Sequence, residues 1–200
     1  DYEESAYSSG THTAAGDSWL TLTELSNGGS YFVDDTSYDQ RAYPCITDLD
    51  GDGVLDIVSG SSDGGVYFFK GTGYDGRIKT EAAVRLCSVE SYSAPVVYDA
   101  DGDGVSDILC GAADGNIYLF RGLGGLDFAG AELFLTTGLT GQALPDAGDL
   151  DGDGCADLVV GSHEGRLLLY YGSGAAPLTV GGSTELTALR IEGSRTAPPL

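Results

Sequence analysis

The chain has no methionine, one tryptophan, two histidines, and nine lysines and arginines against 31 aspartates and glutamates. Each scarcity excludes something. Nucleic-acid phosphates and anionic membrane surfaces need clustered basic side chains, and a net charge of −22 offers the opposite. No apolar run approaches the roughly 18 residues of a membrane span. The four cysteines, Cys45, Cys87, Cys110 and Cys155, contain no C-x-x-C spacing, which argues against a zinc or dithiol redox motif. Two disulfides and buried free thiols both stay open. His12 and His163 do not form H-E-x-x-H, and no G-x-x-x-x-G-K-[ST] phosphate loop occurs. Neither an initiator methionine nor a signal peptide is visible, so a processed terminus or a piece of a longer chain is expected.

What the chain has in excess is glycine, 32 of 200 residues, with 12 tyrosines and 6 phenylalanines. Many tight turns joining short aromatic strands follow from that composition. The acidity is concentrated. Asp48-Leu49-Asp50-Gly51-Asp52-Gly53-Val54-Leu55-Asp56 places four carboxylates at positions 1, 3, 5 and 9 of nine residues. The run returns with Asp99, Asp101, Asp103 and Asp107, and again with Asp149, Asp151, Asp153 and Asp157, its starts 51 and 50 residues apart. Like charges so close repel unless a cation neutralises them, and oxygen-only ligands around a sharp glycine turn suit Ca²⁺. An EF-hand loop would need an acid at position 12, where this chain has Ser59, Cys110 and Val160.

Each repeat has one grammar. A short segment with Pro44, Pro95 or Pro145 precedes the acidic run. An apolar strand follows (Ile57-Val58, Ile108-Leu109, Leu158-Val159-Val160), then a turn between Gly60 and Gly64, Gly111 and Gly115, or Gly161 and Gly165. A third strand runs to Gly71, Gly122 or Gly172, and a fourth is expected over 82–86, 131–135 and 186–191. The third strands are apolar on consecutive residues, as strands covered on both faces are. Four-stranded units of that kind, about 50 residues each, predict an all-β fold of antiparallel β-propeller blades, in an incomplete or intermolecularly completed ring. The expected organisation is a flexible polar arm over 1–17, a partial blade built as a hairpin over 18–40, and blades with one acidic loop each over 41–91, 92–141 and 142–192. Residues 193–200 are expected to start a further repeat.

The pattern D-x-D-G-D-G-x-x-D, then a strand, G-x-x-x-G and an aromatic strand, resembles the FG-GAP or VCBS-type repeat over roughly residues 41–192. The resemblance implies blades like those of integrin α-subunit propellers, with one Ca²⁺ wrapped by the loop between the first and second strands of each. The implied ligands are Asp48, Asp50, Asp52, Asp56 and the Val54 carbonyl in the first loop. In the second they are Asp99, Asp101, Asp103, Asp107 and the Val105 carbonyl. In the third they are Asp149, Asp151, Asp153, Asp157 and the Cys155 carbonyl, its thiol being a poor match for a hard cation.

Catalytic residues are not expected. The close carboxylate pairs lie in the acidic loops, where metal ligation explains them first, and His163 sits in a turn. Arg41, Arg85, Arg121, Arg166 and Arg190 are scattered along the repeats, candidates for pairing with surface acids or for part of a ligand face, and Tyr38, Tyr74 and Tyr92 are candidates for stacking on sugars. The expected function is a non-enzymatic, secreted or cell-surface module for structure, adhesion or assembly, holding about three Ca²⁺. Its expected partners are other copies of itself or the rest of a longer chain, with an extracellular protein or glycan as a further ligand. The alternatives are the propeller portion of a secreted carbohydrate-active enzyme and a self-assembling fibre subunit.

Overall fold

The structure, a computed structural model, describes residues 12–13, 21–22, 42–74, 78–173 and 178–186. Everything described is strand, turn or loop. No helix of the described residues is long and apolar enough to cross a membrane. The strands are β1 (His12–Thr13), β2 (Thr21–Leu22), β3 (Tyr43–Thr47), β4 (Asp56–Gly60), β5 (Gly65–Phe69), β6 (Gly71–Tyr74), β7 (Ile78–Thr80), β8 (Val84–Ser88) and β9 (Ala94–Tyr98). They continue as β10 (Asp107–Gly111), β11 (Asn116–Phe120), β12 (Gly122–Gly124), β13 (Asp127–Phe128), β14 (Glu132–Thr136), β15 (Ala143–Gly148), β16 (Asp157–Ser162), β17 (Leu167–Gly172) and β18 (Val180–Leu186).

Three four-stranded antiparallel sheets repeat one meander: β3-β4-β5-β8, β9-β10-β11-β14 and β15-β16-β17-β18. The acidic loop joins the first and second strand of each. Among the described residues no ring closes. Small hairpins, β6–β7 and β12–β13, stand between the third and fourth strands of the first two sheets. The fourth strands follow at Val84–Ser88 and Glu132–Thr136, overlapping the expected spans 82–86 and 131–135. In the third sheet the fourth strand is Val180–Leu186, anchored by the pairing Leu167↔Leu186. Gly181 and Gly182 lie inside it, where cross-strand pairing overrides their low strand preference. Residues 187–191, expected as strand, lie outside the described residues.

At the N-terminal side β1 pairs with β2, His12 opposite Leu22. This sets two residues of the segment read as an arm against two of the segment read as a hairpin. The rest of both segments, and residues 193–200, lie outside the described residues.

The consecutive apolar residues of the central strands serve two interfaces. Successive strand residues face opposite ways. In β10, Ile108 and Cys110 join Val58, Val66 and Phe68 of the first sheet, while Leu109 joins Leu158, Val160 and Leu168 of the third. Ile108 and Leu109 are both fully buried, each contributing about 1.5–3 kcal/mol on leaving water. The first strands sit where the sheets converge, with β9 against β3 on one side and β15 on the other. Pro44, Pro95 and Pro145 are tolerated there because these strands have no partner beyond them in their own sheets, so a missing N–H interrupts no ladder.

Glycine permits the close approach of neighbouring sheets. A Cβ on Gly60 would lie 2.0 Å from the Ser93 carbonyl oxygen, and one on Gly111 would lie 2.0 Å from that of Ala143. Beside each glycine the same inter-sheet hydrogen bond forms: Ser93 N–H donates to the Ser61 carbonyl (3.0 Å), and Ala143 N–H to that of Ala112 (3.1 Å). Gln142, itself buried, adds a second tie, donating to the Tyr92 carbonyl and accepting from the Tyr43 hydroxyl, each at 2.8 Å. Gly60→Ala and Gly111→Ala are each expected to cost at least about 2 kcal/mol, since extra volume in a close-packed interface costs roughly 1–3 kcal/mol. The measurement is the urea midpoint. Wild-type midpoints would show that the sheets do not meet at these glycines.

Candidate metal centre

The geometry of each acidic loop begins with its glycines. Positions 4 and 6 take the left-handed backbone, for example Gly102 at φ 78° and Gly104 at φ 86°, where a side chain would be strained. The turn aims amide hydrogens back at the first aspartate. Asp48, Asp99 and Asp149 each accept from the position-6 amide through Oδ2, at 2.9, 2.9 and 3.0 Å. Position 5 closes a smaller turn on the amide two residues on: Asp52 with Val54, Asp103 with Val105 and Asp153 with Cys155, at 2.7–2.9 Å.

Position 9 opens the second strand, and its carboxylate is buried in all three loops. One oxygen accepts the amide of position 2, Leu49, Ala100 or Leu150, at 2.8–2.9 Å. The other accepts the amide of the glycine that ends the third strand, Gly71, Gly122 or Gly172, at 2.7–2.8 Å. Those glycines lie against the carbonyl of position 8: an added Cβ would stand 2.0–2.3 Å from the oxygen of Leu55, Ser106 or Ala156. Glycine at the end of the strand therefore does more than stop it. It lets the backbone come near enough to donate to the buried aspartate. The amides of Gly172 and Leu150 hold the Asp157 carboxyl below the usual carboxylate range.

The result is a group of three carboxylates at the same corner of each sheet: Asp48, Asp50 and Asp56; Asp99, Asp101 and Asp107; Asp149, Asp151 and Asp157. In each, three oxygens lie within 4.8 Å of one another. Two unit charges at that separation repel by about 1 kcal/mol even in bulk water, and several-fold more near a protein surface. Asp48 Oδ1 is buried and has no hydrogen-bond partner. Buried polar atoms are nearly always satisfied, so this oxygen is suited to a cation. The donors are all hard oxygens, which fits Ca²⁺. Position 5 (Asp52, Asp103, Asp153) is outside the three groups.

Two basic residues flank the loops; the sequence reading offers Arg121 as a partner for surface acids and does not single out Lys70. Lys70 pairs with Asp50 and Asp52. Arg121 pairs with Asp101 at 2.6 Å, and its Nε lies 3.5 Å from Glu132. The Lys70 hydrogen bond, aided by the Val54 amide, pulls the Asp52 carboxyl below its ordinary range. Both basic residues stand directly before the strand-ending glycine, and that register is the signal that could have found them. Tyr171 occupies the place in the third unit.

The family model of the FG-GAP-like repeat matches residues 48–110 and again 99–160, and that of the FG-GAP repeat matches 145–177. The chain belongs to the FG-GAP repeat family. The first two matches begin at the first aspartate of a loop and run through the next loop into the strand beyond it, so each spans one loop-to-loop repeat and the start of the next. Comparison with curated proteins gave no match, and neither did comparison with solved structures.

The remaining expected site residues do not converge. His163 is exposed in the hairpin turn after β16. Tyr92 is half-buried, with φ 52°. Tyr38, Arg41 and Arg190 lie outside the described residues. All four cysteines are free thiols. Burial pushes the Cys110 thiol up to about 12 and raises those of Cys87 and Cys45, which keeps them protonated and unreactive.

Asp157→Asn leaves one of two buried amides facing an NH₂ group, and about 1–3 kcal/mol should be lost. A carboxyl with a depressed folded pKa stabilises the fold above the unfolded value, about 3.9, and that contribution disappears as pH falls through the folded value. In chelator, Asp157→Asn should therefore lower the melting temperature at pH 7 and lessen its fall below pH 4. A parallel downward shift at every pH would show that Asp157 carries no proton linkage.

Proposed function

We propose that this FG-GAP chain is a Ca²⁺-binding propeller module, acting outside the cell in structure, adhesion or assembly and not as an enzyme. The observation that carries the reading is the threefold recurrence of the carboxylate triad at the corner between first and second strands, with an unpartnered buried oxygen on Asp48. Ca²⁺ is favoured because it accepts six to eight oxygens and tolerates irregular geometry. The ligand sets are those implied by the repeat: positions 1, 3, 5 and 9 with the position-7 carbonyl. Binding would relieve carboxylate repulsion and stabilise the folded chain by mass action. FG-GAP repeats are typical of surface and secreted proteins, and extracellular modules bind Ca²⁺ at millimolar levels.

Calorimetry on the intact chain should detect about three Ca²⁺. A stoichiometry of zero would end the calcium reading. Asp103→Ala tests position 5. It should lower the melting temperature by several degrees in Ca²⁺ and much less in chelator, while weakening one of the three sites. Equal losses in both media would confine Asp103 to its turn with Val105.

The assembly reading has its own support in the third sheet. Gly161 and Ser162 repeat the places of Gly60 and Ser61, and of Gly111 and Ala112. Among the described residues, however, only Leu144 atoms come within 4 Å of a Cβ built on Gly161, the nearest at 3.7 Å. A further sheet of the same repeat type, from a longer chain or a second copy, would fit this face. Gly161→Ala should then cost as much stability as Gly60→Ala. A gain in stability, as expected for alanine in an uncovered strand, would remove this partner.

A further inference from the structure

The three loops share their aspartates and differ in what faces them: at position 1, Asp48 Oδ1 is unpartnered, while Asp99 and Asp149 accept the amides of Gly102 and Gly152 through Oδ1 at 2.7 Å. In the first two, the position-3 carboxylate is fully engaged. Asp50 accepts the Asp52 amide through Oδ1 (3.2 Å) and Lys70 through Oδ2. Asp101 accepts the Asp103 amide through Oδ1 (3.3 Å) and Arg121 through Oδ2 (2.6 Å). In the third, Asp151 accepts the Asp153 amide through Oδ1 (3.1 Å), and Oδ2 has no partner among the described residues. Tyr171, at the register of Lys70 and Arg121, is 46 % exposed and carries no charge. The first two members of the triad are half-buried in loops one and two and exposed in loop three.

We propose that Lys70 and Arg121 are built-in counter-cations for the first two loops, and that Tyr171 in their place makes the third loop depend on a bound divalent cation for closure. The physical reason is charge balance. Four carboxylates and one basic side chain leave a net −3 in loops one and two, and loop three keeps −4. A divalent ion entering loops one and two meets a position-3 oxygen already held by a positive charge. In loop three that oxygen has no partner among the described residues. As the ion is withdrawn the first two corners are still held by their own basic side chains, the first with Asp48 Oδ1 left unpartnered. The third opens as the ion is withdrawn, loosening the start of β16 and, through Asp157, the end of β17. Only the identity of the ion rests on the calcium reading.

The test is hydrogen exchange on the full chain, in chelator and in Ca²⁺, followed on peptides covering 48–56, 99–107 and 149–157. In chelator the third peptide should exchange at least tenfold faster than the first two. Tyr171→Arg should slow it to their rate, an exposed substitution that leaves the core untouched. Lys70→Met should speed the first peptide in chelator, and Lys70→Arg should not. Equal exchange in the three wild-type loops, or no slowing by Tyr171→Arg, would overturn the proposal. Ca²⁺ should abolish the difference between loops. If it has no effect while Tyr171→Arg still does, the counter-cations stand and the calcium reading falls.

Discussion

The buried aspartate at the end of each acidic loop is the constraint on which the rest of the unit depends. Asp56, Asp107 and Asp157 each satisfy two backbone amides, one at the head of the loop and one at the end of the third strand. One carboxyl group thus holds three pieces of chain together, and it does so out of water. An unpaired charge there would be expelled or neutralised. The amides make its burial tolerable, and the neighbouring acids turn the same corner into a place for a cation.

From that corner the architecture follows outward. The loop sets the direction of the second strand, whose residues face two neighbouring sheets by simple alternation. The sheets approach because glycine and proline occupy the contact: Gly60 lies beside Pro95, and Gly111 beside Pro145. Polar ties at the convergence, Ser93 to the Gly65 carbonyl at 2.7 Å and Gln142 to Tyr43, fix the angle that apolar packing alone would leave loose. The glycine contacts between sheets therefore lie at the end of the first strand away from the acidic loop, while position 2 of the loop, Leu49 or Ala100, joins the core at the other end.

Much of this was legible in the sequence, and the reasons are physical. Asp48 to Asp56 announces itself because a charge cluster is costly without a purpose. The third strands, such as Val66-Tyr67-Phe68-Phe69, read as doubly covered because no charged residue interrupts them. The inserted hairpins were not legible. Their strands, such as Gly122–Gly124 and Asp127–Phe128, are two to four residues long and carry no alternation. The strand at Val180–Leu186 was hidden by its glycines, which disfavour strand locally and become strand only by pairing with β17. Lys70 was missed, and Arg121 was legible only as a partner for some surface acid, because a single basic residue has no motif. Its meaning lies in the distance to another loop position and in the fold that closes it.

The tie from the buried aspartate to the strand-ending glycine spans 15 residues in every unit. That segment is a ruler. A residue inserted or deleted within it would move the glycine amide off the carboxylate and flip the strand's inward side chains outward. The hairpins and connections after the glycine have no such tether, and their lengths already differ between units. Divergence among copies of this repeat should thus be confined to one stretch of each unit, with loop, second strand and third strand inherited as an indivisible block.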